Sequence, residues 1–216
     1  MIAAALAVVA LAVVGWAFVF LPPHAGIWHR SWITAAVLTM VSVGVLWSAG
    51  ELGEAVGDVS VEAVVAGVGV GAGWLVATHA GHAVLCRLLP GFVDRVRELY
   101  SIAAGDRRRD VLIALVAMAV AEEFVFRLVV QRELGIVAGV AAYTLVQVVE
   151  RNWVLLLAGA ACGTVWGLLY AWQENLAAPL LAHVIWTAAL MFVWPLRGSG
   201  ERRLVEADGV ALTDRV

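Results

Sequence analysis

The sequence contains no lysine and few charges of either sign. Charged residues make up 14% of the chain, against about 25% in an ordinary soluble domain. That deficit removes the charged shell a water-soluble globule needs. Cysteine is equally sparse. Cys86 and Cys162 both lie in or at the edge of apolar stretches, which excludes a disulfide framework and reads them as buried thiols. No metal-ligand cysteine spacing is present. The net charge of −3 is too small to imply an acidic or nucleic-acid partner. The first apolar run, Ile2–Leu21, lacks a positively charged segment ahead of it and exceeds the length of a signal-peptide core. It reads as a retained first span. No convincing internal repeat and no low-complexity linker appears.

What the chain has in quantity is apolar length. Of its residues, 63% are hydrophobic, and stretches near twenty residues recur from end to end. Each is long enough to cross a hydrocarbon core about 30 Å thick at about 1.5 Å per helical residue. The pattern predicts spans at Ile2–Leu21, Ser31–Trp47, Val61–Leu85, Val111–Val130, Leu134–Val149, Trp153–Trp172 and Leu176–Leu196. Pro22 and Pro23 end the first, because proline cannot continue a helix without losing a hydrogen bond. The expected fold class is therefore all-α, a polytopic membrane helical bundle of about seven transmembrane helices. It divides into an N-terminal part (1–110) of three spans and a polar loop, a four-span core (111–196) and a polar tail (197–216).

Arginine placement orients the bundle. The longest polar segment, Arg87 to Asp110, holds six arginines and is assigned to the cytoplasmic side. Alternation then brings Arg30, Arg151 and tail residues Arg197, Arg202, Arg203 and Arg215 to the same side, and only Arg132 to the other. The N-terminus is expected outside and the C-terminus in the cytoplasm. The all-arginine usage with abundant Ala, Val and Gly suggests a GC-rich bacterium, hence its plasma membrane. Arg107–Arg109 reads as a topology signal and anionic-lipid contact. Gly67, Gly69, Gly71 and Gly73, and again Gly159, Gly163 and Gly167, form small-residue patterns that let helix backbones approach closely in lipid.

One span holds charges its composition does not excuse: Ala121-Glu122-Glu123-Phe124-Val125-Phe126-Arg127. Each charge at the bilayer centre costs about 2.5–3.5 kcal/mol on insertion scales. Glu123 and Arg127, four apart, share a helix face and can pair. Glu122 lies about 100° around the helix and is not served equally by that arginine. A carboxyl so placed suits general acid–base work. The last span holds His183 near mid-membrane, with Thr187 one turn further on the same face. Pro179 stands where it can bend that helix. The bland readings are a register-fixing ion pair for Glu123 and Arg127, and a hydrogen-bonded core histidine for His183. His24 and His29 are assigned no role.

Glu-Glu-xxx-Arg at 122–127, followed by Ala-Pro-Leu-Leu-Ala-His-xx-Trp around His183, resembles the CPBP family. These are the CAAX-protease and bacteriocin-processing intramembrane proteases, related to the type II CAAX prenyl endopeptidase. The resemblance covers about Val111 to Leu196 and includes Trp166–Tyr170 and Asn175–Pro179. It implies that Glu122 activates a water to attack a peptide carbonyl, with Glu123, Arg127 and His183 completing the catalytic set. Two positions depart from the pattern. The family's middle motif, Phe-xxx-His, falls on Tyr143 and Gln147, and the residue four after the last histidine is Thr187 rather than Asn or Asp. Gln147 can donate a hydrogen bond to an oxyanion but cannot shuttle a proton near neutral pH. Thr187 is a weaker donor. His79 or His82, near the end of the third span, is a candidate replacement for the missing histidine. Its simpler reading is an interfacial imidazole.

No cofactor is expected, and two carboxylates with one histidine do not make a zinc set; the resemblance itself leaves metal dependence open. The partners expected are membrane lipid and a peptide or membrane-protein substrate, with no nucleic acid. Two other functions fit the residues: a catalytically impaired relative acting as a membrane scaffold or immunity protein, and a small proton-coupled transporter.

Overall fold

A computed structural model of the chain describes residues 1–21 and 25–196. Pro22, Pro23, His24 and the arginines of the polar tail lie outside the described residues. Among the described residues there is no strand. The helices are α1 (Ile2–Phe20), α2 (Ile27–Ser48), α3 (Leu52–Val56), α4 (Val61–Leu88), α5 (Phe92–Ser101) and α6 (Arg108–Glu123). Next, α6 widens into a π-helix at Phe124–Gln131 and ends in the single turn α7 (Arg132–Leu134). The helix α8 (Ile136–Val146) tightens into a 3₁₀ turn at Gln147–Glu150, and α9 (Trp153–Gln173) leads to α10 (Ala177–Ala188), which runs on as a π-helix at Ala189–Val193. The expected all-α membrane bundle is the fold observed.

Among the described residues four helices are long and apolar enough to cross a membrane: α1, α2, α4 and α9. The shorter apolar stretches Ile136–Glu150 and Ala177–Val193 accompany them. The α6 helix and its π-helical extension are long enough as well, but carry the intramembrane charges. The apolar surface points both ways. Helix α1 buries the stripe Ala5, Val8, Ala12, Trp16 and Val19, while Leu6, Val13, Val14 and Phe18 are exposed. Helix α4 buries only Ala63, Gly67 and Gly71 and leaves Val61, Val65, Val68 and Val76 outward. A helix apolar all round belongs in lipid. The chain is an integral membrane protein.

Close approach sets the layout. A Cβ on Gly67 would stand 2.6 Å from the carbonyl oxygen of Ala178, and one on Gly71 2.9 Å from the Ala182 backbone. These two glycines bring α4 onto α10, whereas Gly69 and Gly73 face open space. Ser60 caps α4 by accepting the Ala63 amide. At Gly57 the backbone takes φ +67°, and Leu176 donates its amide to the neighbouring Val56 carbonyl at 2.8 Å. That contact, with the Tyr170 hydroxyl on the Ala55 carbonyl, clamps the turn that launches α10. Within that turn Asn175 caps the helix through the Ala178 amide.

The segment read from sequence as a polar loop holds a helix. Phe92, Val96 and Tyr100 recur at spacing four, so α5 lays an apolar stripe on Val154 and Trp153 of α9 and turns Arg95 and Arg97 outward. Asn152 ties it down by donating to the Arg95 carbonyl. The Tyr100 hydroxyl donates to the Leu190 carbonyl and accepts the Leu196 amide. Burial pushes that phenol above its ordinary range, so it remains a donor.

Candidate active site

At about 1.5 Å per residue, Glu122 lies roughly 20 Å along α6 from its Arg108 end. Directly after Glu123 the helix widens, and π-helical turns recur at functional sites. Glu123 and Arg127 are fully buried, and the Arg127 Nε donates to Glu123 Oε2 at 3.3 Å. The arginine also reaches Gln131 Oε1 at 3.4 Å and lies 5.3 Å from the centre of the Tyr143 ring. Gln131 in turn donates to the Gly167 carbonyl at 2.8 Å, anchoring the charged turn to α9.

His183 arrives from α10. Its Nδ1 is 2.8 Å from Glu123 Oε1. A carboxylate only accepts, so Nδ1 carries the proton, and the other nitrogen presents its lone pair when the ring is neutral. That Nε2 faces Glu122 Oε2 at 3.6 Å, too long for a hydrogen bond. Trp166 stacks on the imidazole with ring centres 5.7 Å apart. The arrangement is a carboxylate–imidazole pair whose carboxylate is neutralised by a buried arginine, with a second carboxylate opposite the free nitrogen. Tyr143 donates its hydroxyl to that second carboxylate, Glu122 Oε2, at 2.8 Å.

A cavity of about 220 Å³ opens on this pair. Glu122, Tyr143, Gln147 and His183 line it. Its lining extends to Phe20, Trp28, Leu99 and Leu115, at the end of the bundle where α1 ends and α2, α6 and α9 begin. The arginines of α5 and of the α5–α6 connection stand at that same end. The glycines of α9 shape the cavity wall. A Cβ on Gly159 would come 3.0 Å from Gln147 Cγ, and one on Gly163 2.9 Å from Tyr143 Cδ1. The stripe read from sequence as packing is thus packing against the site.

The structure brings together Glu122, Glu123, Arg127 and His183, and places Gln147 on the same cavity. Thr187 is not brought there. Its hydroxyl is buried without a hydrogen-bond partner, and Trp186, three rather than four residues after His183, lines the cavity instead. Nor are His79 and His82. His79 bonds the Leu75 carbonyl and stacks on Trp194, while His82 contacts Cys86 and Phe92. Sequence reasoning missed the Tyr143 hydroxyl as a partner of Glu122, and it missed Glu150, a second glutamate on the cavity. Glu150 follows a hydrophobic span and precedes Arg151 and Asn152, so in sequence it reads as an interfacial charge. Cys86 and Cys162 are free thiols. Among the described residues no three His, Cys, Asp or Glu side chains are grouped to hold a metal ion. Both oxygens of Glu123 are already engaged, by Arg127 and His183, so the donor set does not fit one.

No curated protein and no solved structure matches the chain. One family model does. Residues 108–189, from the first turn of α6 to the end of α10, match that of the type II CAAX prenyl endopeptidase Rce1-like family. The segment that carries the two glutamates, Arg127 and His183 is therefore similar to the Rce1-like CAAX prenyl endopeptidases, in keeping with the CPBP resemblance of its motifs.

Proposed function

We propose that the protein is an intramembrane endopeptidase in which Glu122 activates a water to attack a peptide carbonyl. The supporting observation is the convergence of Glu122 and His183, 3.6 Å apart at their nearest atoms, on one cavity inside the bundle. Glu122 takes the water's proton as general base. The Tyr143 hydroxyl on Oε2 holds that carboxylate in one orientation. Glu123 fixes the tautomer of His183, so its Nε2 accepts a hydrogen bond from the attacking water and orients it while the imidazole stays neutral. The Gln147 amide, which lines the same wall, donates to the oxyanion, as backbone or side-chain amides do in other acyl-transfer sites. Glu122 then returns its proton to the leaving amine. Exclusion of bulk water by the surrounding helices strengthens each of these contacts.

The substrate on this reading is a peptide or membrane protein whose backbone unwinds into the cavity. The decisive experiment is cleavage of a reporter peptide by purified protein in detergent. Wild type is expected to cleave it, and Glu122→Gln to lower kcat by about 10²–10⁴-fold. Equal turnover by both removes Glu122 from the chemistry. Gln147, in place of a titratable group, favours a second reading as a peptide-binding relative without catalysis. Binding without turnover by wild type selects it.

A further inference from the structure

The charges that face the cavity do not balance. Glu123 is matched by Arg127 behind the site. Glu122 and Glu150 both line the cavity, and among the described residues no arginine does. The two carry like charge on one cavity, and the Trp16 indole lies beside Glu150. Arg151, the next residue, is exposed. A carboxylate without a cation in a low-dielectric site is expensive. A carboxylate accepts at about four lone-pair positions.

A second observation lies beside it. Gln147 is only 7% exposed and lines the cavity, and its side-chain amide makes no hydrogen bond among the described residues. It opens the 3₁₀ turn that Glu150 closes. In such a turn residues three apart eclipse one another at about 2 Å rise each, so the amide and the carboxyl stand on one face roughly 6 Å apart. Glu150 is the member nearer the arginine-rich end. The rest of that wall is apolar and aromatic, with Trp28, Leu99 and Met118.

We propose that Gln147 and Glu150 form a subsite for a basic side chain of the substrate peptide, on the arginine-rich side of the bond that Glu122 attacks. This rests on the protease reading and names its substrate class. A guanidinium carries five donors in a planar fork. It satisfies the Glu150 carboxylate by two of them and the Gln147 amide oxygen by a third, which leaves the amide nitrogen for the oxyanion. Its aliphatic stem lies on the apolar wall. Arginines on the outer rim do not oppose it, because exposed charges are screened within about 8 Å at physiological salt, whereas the cavity charges are not.

The test uses the full chain in detergent and fluorescein-labelled apolar peptides that differ only in carrying Arg, Met or Glu at one place. Binding is read by anisotropy on Glu122→Gln, which does not consume the peptide. The Arg peptide is expected to bind about tenfold tighter than the Met peptide. Adding Glu150→Gln is expected to erase the preference, Gln147→Leu to reduce it, and Glu150→Arg to transfer it to the Glu peptide. Equal affinity for the Arg and Met peptides, a preference that survives Glu150→Gln, or no binding of any peptide overturns the subsite. Turnover by wild type on the same peptides separates the two claims. Selective binding without cleavage defeats the protease reading alone, and unselective cleavage defeats the subsite alone.

Discussion

At the scale of single residues, the site is organised around charges that must be matched where they lie. Arg127→Met strands the Glu123 carboxylate in a fully buried place, a loss of about 3–5 kcal/mol, and thermal unfolding in detergent is expected to show a large drop. Adding Glu123→Gln removes the stranded charge and is expected to recover most of the stability. Turnover does not return, because His183 has lost the carboxylate that fixes its tautomer. Recovery of activity in the double variant shows that Glu123 serves folding only. Tyr143→Phe deletes one hydrogen bond to Glu122, worth about 1 kcal/mol of stability, and is expected to cost turnover about tenfold by freeing that carboxylate. Unchanged turnover places the phenol outside the chemistry. The charged members of this set are legible in the sequence, since a Glu, Arg or His inside an apolar run announces itself by its cost. Tyr143 and Glu150 are not. A tyrosine in a span is ordinary, and a glutamate at a span's end looks solvated. Only the fold shows that the hydroxyl meets Glu122 and that the 3₁₀ turn carries Glu150 onto the cavity with Gln147.

At the scale of helices, the glycines divide by what faces them, which no pattern of small residues can tell. Gly67 and Gly71 meet the backbone of α10 and Gly69 and Gly73 meet nothing, although all four fit the same sequence rule. Gly67→Ala and Gly71→Ala are therefore expected to push α4 off α10 and cost about 1–3 kcal/mol, as overpacking does. Gly69→Ala and Gly73→Ala are expected to be neutral, or stabilising by up to about 1 kcal/mol through helix propensity. Melting curves of the four single variants decide it, and equal losses in all four would mean the α4–α10 contact is not set by close backbone approach. On α9, Gly163→Val drives a branched side chain against Tyr143, so it is expected to lower turnover more than it lowers stability. The spans themselves are legible because apolar length fixes them. Helix α5 and the two π-helical stretches are not. In α5 the arginines mask an apolar stripe at spacing four, and in α6 and α10 helix widening leaves no mark in the residue pattern.

At the scale of the whole molecule, the bundle has two chemically different ends. One gathers Arg30, Arg87, Arg95, Arg97, Arg107, Arg108, Arg109 and Arg151. The other gathers Glu51, Glu54, Asp58, Glu133 and Glu174 around Arg132, which pairs with Glu54 at 3.2 Å and Glu51 at 3.9 Å. A membrane reads such an asymmetry during insertion: basic loops stay in the cytoplasm, and acidic ones contribute little. The cavity lining reaches the arginine-rich end, so the same rule predicts that this end of it faces the cytoplasm. Labelling checks the orientation. In a Cys86→Ser, Cys162→Ser background, a membrane-impermeant maleimide applied to intact cells is expected to modify a cysteine placed at Asp58. It is expected to spare one at Ser101 until the cells are opened. The reverse pattern inverts the bundle and puts the arginine-rich end of the cavity outside. The fold and the spacing of Glu122 from His183 survive either result, because they depend on packing within the bundle. The side from which a basic peptide reaches Glu150 does not, because it depends only on which end the membrane kept in the cytoplasm.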